Sequence, residues 1–347
     1  MKAMVRHRYG SPGILQLEEL RKPTAGDDEL LIRVQAVSLN LGDWELLTGK
    51  PLFIAVLATL FAPGTRYDPV PPTDEGAAAS RPTGGGLFRP KHKILGTDVA
   101  GRVEAVGKKV TQFQPGDEVF GMCMFGALAE YVCVPESAGF VKKPAGMSFE
   151  EAAAIPQAAF IALQGLRDRE QAQPGRKVLI NGGGGGAGTL AVQFARFLGA
   201  EVTAVDNSLK LEMMRSIGAD HVIDYTQEDY TRSGRQYDLI LDLAAHRSIF
   251  DGLRALRRGG IYLLAGGAFL PTLQAALLGP LLSRLGSKKV VFLLADTNRE
   301  DLERMTEFYQ TGEVVPVVDR TYSLSEAAEA FQLIGEGGAK GKVVITV

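Results

Sequence analysis

Between residues 182 and 188 the chain reads Gly-Gly-Gly-Gly-Gly-Ala-Gly, the stretch whose composition most restricts its chemistry. Gly183, Gly185 and Gly188 fit the spacing G-x-G-x-x-G, with Gly186 and Ala187 filling the gap. An apolar run before them (Val178, Leu179, Ile180) predicts a buried strand. Behind them Leu190, Ala191, Phe194, Ala195 and Leu198 recur at helical spacing. A second strand, 201–205, closes on Asp206, 18 residues past Gly188. The chemistry that needs this pattern is pyrophosphate binding. Free N–H groups and the positive dipole end of a helix attract the anion. Glycines allow the tight turn, the close approach to phosphate and the packing of helix on strand. An acid at the end of the second strand can bind the ribose hydroxyls of a dinucleotide.

Around this motif the elements alternate. Strands are predicted at 177–181, 201–206, 220–224, 237–242 and 260–265, with helical segments between them and a further strand at 288–295. Such alternation of apolar strands and helices implies a parallel sheet covered on both faces. Residues 1–140 instead carry short Val-containing runs separated by glycines, which predicts a β-rich domain of hairpins and turns. Within them 62–86 is rich in Pro, Gly, Ala and Thr and reads as a surface insertion loop. In the tail, Ser323 and Glu326 form a capping box, Gly335 is a candidate C-cap, and GKVVITV closes the chain as a strand.

Composition narrows the function classes. A length of 347 residues predicts two domains. A net charge of −2 argues against nucleic acid or an anionic membrane as partner. Two apolar segments, 51–63 and 269–286, are too short or too interrupted (Pro271, Pro280, Arg284) to span a bilayer, and read as helices packed on the body or lining an apolar pocket, with peripheral membrane contact as the alternative. Cys123 and Cys133 make no C-x-x-C pair, and the N-terminal MKAMVRHRYG has no signal-like apolar core; the expected compartment is the reducing cytoplasm.

The segments ILGTDVAGRVEAVG, QPGDEVFG, GALAEYVCVPE, AAAIPQAAFIALQGL, KVLINGGGGGAG, IGADHVIDY and GKVVITV together resemble the medium-chain dehydrogenase/reductase superfamily, in its zinc-free, quinone oxidoreductase-like branch. The resemblance implies an α/β fold: a Rossmann doubly wound parallel sheet over 141–296, and a GroES-like β-rich catalytic domain built from 1–140 and 297–347. Zinc-dependent members hold a catalytic ion with Cys and His. The corresponding positions here look like Asn40, Thr97 and Gln157, and none supplies a thiolate or imidazole. His7, His92, His221 and His246 are scattered. No metal is expected. Without a Lewis acid, a conjugated acceptor is easier to reduce than a simple carbonyl, because charge can move to a distal oxygen.

The resemblance places Asn40 and Asp43, in NLGDW, beside the nicotinamide. Asn40 would bond a ribose or substrate oxygen, while Asp43 serves either the chemistry or the cap of the following helix. Trp44 reads as core or as a substrate wall. Gly266 and Lys342 are further cofactor-binding positions implied by the resemblance. The run Gly49, Lys50, Pro51 lacks the tyrosine of enoyl-thioester reductases, and no proton donor stands out. Cofactor signals are mixed: Asp206 favours the free diol of NADH, whereas Lys210 and Tyr225 match positions that hold the 2′-phosphate of NADPH. Two unit charges 4 Å apart interact by about 4 kcal/mol at an effective dielectric near 20. Asp206 and Lys210 therefore nearly cancel, and the expectation leans to NADH. The leading expectation is an NAD(P)H-dependent reductase of quinones or enones acting as a homodimer on a small apolar substrate. The alternatives are a zinc-independent alcohol or aldehyde oxidoreductase, and a non-catalytic, crystallin-like or cofactor-sensing NAD(P)-binding protein.

Overall fold

The computed structural model describes residues 1–49, 90–167 and 170–347. The expected insertion at 62–86, the apolar segment 51–63 and the Lys50–Pro51 pair lie outside the described residues. The chain divides into two units, one of Met1–Pro156, Asn298–Leu302 and Val318–Val347, the other of Gln157–Thr297 and Glu303–Val317. The first division falls 16 residues beyond the expected 140/141, because the short strand and helix after residue 140 belong with the first unit.

The first unit is β-rich. Its strands are β1 (Lys2–Val5), β2 (Gln16–Glu19), β3 (Glu29–Leu39), β4 (Asp98–Val106), β5 (Glu118–Met122), β6 (Tyr131–Pro135) and β7 (Val141–Lys142). Helix α1 (Leu41–Thr48) follows β3, and α2 (Phe149–Ala153) and α3 (Pro156–Leu166) lead out of the unit. Alternating burial along β3 and β4 puts Ile32, Val34, Val37, Leu39, Val99 and Val103 into one core. The C-terminal tail completes this sheet. Its last strand pairs antiparallel with β3, Val343 opposite Leu39, while β4 flanks β3 on its other side with Asp98 opposite Ser38.

The second unit holds a six-stranded parallel sheet: β8 (Lys177–Asn181), β9 (Glu201–Asp206), β10 (His221–Asp224), β11 (Tyr237–Asp242), β12 (Leu256–Leu264) and β13 (Lys289–Phe292). Their spatial order is β10-β9-β8-β11-β12-β13, the doubly wound order of a dinucleotide-binding sheet. The order reverses between β8 and β11, so the crevice at their carboxyl ends is where a ligand belongs. Helices α4 (Gly186–Phe197), α5 (Leu211–Ser216) and α6 (Ile249–Arg254) join the strands. The apolar segment 269–286 forms one helix, α7 (Phe269–Leu285), rather than several broken ones. Pro271 lies in the first turn, where no N–H is needed, and the helix continues through Pro280. Among the described residues no helix is long and apolar enough to cross a membrane.

After α8 (Arg299–Gln310) the tail returns as β14 (Val318–Ser323), α9 (Ala327–Gly335) and β15 (Lys342–Thr346). The expected capping box is present, with Glu326 accepting from the Ser323 N–H at 2.8 Å. Gly335 is the last residue of α9 rather than its cap, and its role is packing: a Cβ there would overlap the Trp44 ring. Trp44 thus packs on the core of the first unit.

Candidate functional site

In the second unit the glycine run turns from the end of β8 into α4. Gly182 has φ +84°, a left-handed conformation that glycine adopts without strain. A Cβ on Gly183 would press on the Ala204 methyl at 2.9 Å, and one on Gly188 would overlap the Gly182 carbonyl oxygen, so these two glycines set helix against strand. Gly185 is different. It is the N-cap of α4, no side chain caps the helix there, and its Cβ position meets only the Gly182 carbonyl at 3.4 Å. The N–H groups of the first turn, Gly186, Ala187 and Gly188, have no carbonyl four residues back within the helix. An uncapped, glycine-lined helix start is the cradle a pyrophosphate requires.

Asp206 closes β9 beside this loop. Its Oδ2 accepts from the Gly184 N–H at 3.0 Å, its Oδ1 accepts from the Asn207 N–H at 2.9 Å, and Lys210 Nζ lies 3.1 Å from Oδ1. Both charged side chains are buried, at 7% and 6% exposure. Lys210 is therefore no solvated first-turn lysine. Its stem runs under Gly184, where a Cβ would come within 2.6 Å of Cδ, which gives this glycine, outside the fingerprint, its reason. Tyr225 follows β10, donates its N–H to the Asp206 carbonyl at 3.1 Å and is 56% exposed. Asp206, Lys210 and Tyr225 thus share one corner of the sheet.

The loops after β11 and β12 are tied together at the same end. The Ala245 N–H donates to the Gly266 carbonyl at 3.2 Å, and the Ala268 N–H donates to the Ala245 carbonyl at 2.7 Å. At the switch point Asn181 Nδ2 donates to Asp242 Oδ1 at 2.8 Å, and the Tyr262 hydroxyl donates to Asp242 Oδ2 at 2.5 Å. Burial, first among several influences, raises the Asp242 carboxyl above its ordinary value. Sequence reasoning did not single out this carboxylate, because its strand reads as continuous apolar core apart from its two acids.

In the first unit a polar cluster surrounds the end of β3. Asn40, the N-cap of α1, donates from Nδ2 to Thr97 Oγ1 at 3.0 Å and to Asp98 Oδ2 at 3.1 Å. Lys342 Nζ donates to Asn40 Oδ1 at 2.6 Å and to Asp98 Oδ2 at 2.9 Å. An ammonium offers only donors, which fixes the orientation of the Asn40 amide. Both amide hydrogens are then used within the protein, so Asn40 can accept a hydrogen bond from a ribose hydroxyl but has none left to donate.

Asp43 is 1% exposed. Its Oδ2 accepts from the Asn40 N–H at 2.9 Å and its Oδ1 from the Gly96 N–H at 3.2 Å, which ties the head of α1 to the turn before β4. Of its two expected roles, the cap is the one this geometry serves. Burial pushes its carboxyl up to about 6. Two residues on, burial pushes Glu45 up to about 7. Glu45 was not anticipated, since desolvation leaves no mark in residue spacing.

Asn40 and Thr97, two of the positions where zinc-dependent relatives would place ligands, hold each other as amide and hydroxyl. Neither is a ligand type that zinc sites use. Among the described residues no group of three or more His, Cys, Asp or Glu side chains is arranged to hold a metal ion.

Two family models match the chain, an alcohol dehydrogenase GroES-like domain over residues 26–145 and a zinc-binding dehydrogenase over residues 217–345. A 2-methylene-furan-3-one reductase of Solanum lycopersicum is 31% identical over 99% of this chain and 79% of its own length. A chloroplastic NADPH-dependent alkenal/one oxidoreductase of Arabidopsis thaliana is 31% identical with the same coverage. Among solved structures, the quinone oxidoreductase from Coxiella burnetii superposes with a TM-score of 0.82 at 27% identity, covering 100% of this chain and 99% of that one. The expected lean to NADH gains no support from these relatives, one of which is named for NADPH. Asp206, the residue behind that lean, is already engaged by two backbone N–H groups and by Lys210.

Proposed function

Because the chain belongs to the medium-chain dehydrogenase/reductase superfamily, in its quinone oxidoreductase and alkenal reductase branch, we propose that it reduces quinones or α,β-unsaturated carbonyls by metal-free hydride transfer. It is an NAD(P)H-dependent oxidoreductase, and the uncapped glycine cradle at the head of α4 is the observation that carries the cofactor assignment. When bound, the dihydronicotinamide supplies a hydride to the electrophilic carbon of the acceptor. The first-turn N–H groups of α4 hold the pyrophosphate. Lys210 and Tyr225 receive a 2′-phosphate, and Asp206 receives a ribose diol. Because the Asp206–Lys210 pair carries no net charge, the chain uses both dinucleotides.

The acceptor gains negative charge on its oxygen as it is reduced, and that charge needs a proton. Solvent can supply it. The metal-free reading is supported by the donor types at Asn40 and Thr97.

The test is steady-state oxidation of NADPH and NADH with a panel of quinones, enals and enones, before and after dialysis against a strong chelator. Turnover on conjugated acceptors that survives the chelator is expected. Tight nucleotide binding with no turnover on any acceptor would instead support a non-catalytic, cofactor-sensing role.

A further inference from the structure

Asp242 ends β11 at 2% exposure, behind the apolar run Leu239, Ile240 and Leu241. A carboxyl group is costly to bury unless its oxygens are hydrogen-bonded, and an apolar side chain would fill the same space at less cost. Here both oxygens are used, and in two directions. Oδ1 accepts from Asn181 Nδ2 at 2.8 Å and from the Ala244 N–H at 3.2 Å. Oδ2 accepts from the Tyr262 hydroxyl at 2.5 Å. The parallel register brings these groups to one face of the sheet. Asp242 lies opposite Asn181 on one side, and on the other Tyr262 lies opposite Ile240, two residues back along β11. Gly252 of α6 fits against the Tyr262 ring, where a Cβ would overlap it, so packing sets the direction of the hydroxyl.

The two directions serve different partners. Oδ2 faces the core through Tyr262. Oδ1 faces the glycine loop, because Asn181 immediately precedes Gly182 and Gly182 rests on Ala244. A Cβ on Gly182 would meet the Ala244 methyl at 3.2 Å and the Ala244 nitrogen at 3.6 Å. Asn181 Nδ2 also lies 3.3 Å from the Ala244 carbonyl, and the Leu243 N–H donates to the Asn181 carbonyl at 3.0 Å. Gly182 in turn fixes the head of α4: its carbonyl accepts from the Gly185 N–H at 3.1 Å and lies against Gly188. From Asp242 Oδ1 to the first turn of α4, each link is a hydrogen bond or a backbone contact inside the second unit.

We propose that Asp242 is a positioning residue for the dinucleotide pyrophosphate: through Asn181 and Ala244, its Oδ1 holds Gly182 in the turn that aims the first-turn N–H groups of α4. The loop needs an acceptor in that place rather than a charge. A loop ordered before the nucleotide arrives does not have to be ordered by it, and that difference appears as affinity. The proposal rests on the reading of the glycine loop as the cradle of NAD(P)H. Asp242 touches no part of the cofactor and acts through its neighbours.

The experiment uses the full chain and reads the NADPH dissociation constant by calorimetry, with no acceptor present, beside the melting temperature. Asp242→Ala removes both directions; it should lower the melting temperature and weaken NADPH binding by about tenfold, the size of one charge-assisted hydrogen bond. Tyr262→Phe removes only the Oδ2 bond. It should also lower the melting temperature, yet leave the dissociation constant at the parent's value. Asn181→Ala removes the Oδ1 link from its other end and should weaken NADPH as Asp242→Ala does, with the double variant binding no more weakly than either. Asp242→Asn is the conservative rescue. Its amide oxygen accepts in place of Oδ1 while its NH₂ donates to the Tyr262 hydroxyl, which can accept as well as donate, so binding should return close to the parent's. No weakening by Asp242→Ala, or equal weakening by Tyr262→Phe, would overturn the proposal and leave Asp242 a core residue only. If Asp242→Ala fails to fold, Asn181→Ala against Tyr262→Phe decides in the same way. A parent chain that binds NADPH yet reduces no acceptor would sink the catalytic reading and leave this test intact. A parent chain that binds no NADPH would end the cofactor reading, and this proposal with it.

Discussion

The Lys342 ammonium donates to the Asn40 side-chain carbonyl across 2.6 Å, although 302 residues separate the two in the chain. The contact exists because β15 runs antiparallel to β3, so the residue before Val343 and the residue after Leu39 meet at the same end of the ladder. It sets what Asn40 can do, and it makes the C-terminal strand part of the candidate site.

Asp43 gives this site a pH signature in stability. Burial raises its carboxyl to about 6 against 3.8 for the ordinary group; Asp98 adds to the rise, while the Asn40 and Gly96 N–H groups and Lys342 oppose it. Between about pH 4 and 6 the folded chain keeps a proton that the unfolded chain has released. Stability from this group therefore falls as pH rises through that window and is level above it, a total of about 3 kcal/mol. Asp43→Asn should remove this slope, while adding a pH-independent cost of about 1–3 kcal/mol because an amide cannot accept both N–H groups. Urea midpoints across the window, parent against variant, check it. Parallel curves would contradict it.

The glycines of the loop should separate by role. Gly188→Ala forces a methyl onto the Gly182 carbonyl and should lower the stability of the nucleotide-free chain by about 1–3 kcal/mol. Gly185→Ala meets nothing nearer than 3.4 Å, so the chain should melt as the parent does yet bind NAD(P)H more weakly. Thermal melts paired with nucleotide titrations distinguish the two. Equal loss of stability in both variants would mean that Gly185 is also a packing residue.

Cofactor choice should turn on the buried Asp206–Lys210 pair. Asp206→Ser frees the Lys210 ammonium and should shift kcat/KM toward NADPH over NADH by about tenfold, the size of one charge-assisted hydrogen bond. It should also lower stability, because Gly184 loses its acceptor and Lys210 its partner. Asp206→Ser with Lys210→Ala should lose the NADPH gain and recover part of the stability. An unchanged NADPH/NADH ratio in the single variant would show that the corner does not contact the ribose.

The second unit leaves apolar surface that a second copy of the chain should cover. Strand β13 is the sheet's edge, and on α7 Phe269, Leu270, Leu273, Leu277, Leu281 and Leu285 are exposed. An open edge beside such a face is an aggregation hazard unless paired. Sedimentation at micromolar concentration should show a homodimer, and Val291→Lys with Leu293→Lys should dissociate it. A monomeric parent chain would rule the dimer out.

Much of this was legible in residue order. Glycine spacing, the strand before it and Asp206 behind it identify the nucleotide fold, since helix and strand periodicities and turn chemistry are local. The residue types at Asn40 and Thr97 already exclude thiolate or imidazole ligands there. Tertiary structure decided the rest. Only the register of β15, β3 and β4 assembles Lys342, Asn40 and Asp98, and sheet register joins residues that no local pattern links. Burial is likewise a property of the packed whole. It shields the Lys210–Asp206 pair from solvent, made Asp43 a cap with a raised carboxyl, and raised the Glu45 carboxyl to about 7. The sequence names the groups that can carry charge, but the dielectric around each, and so its chemistry, is set by which distant segments fold over it.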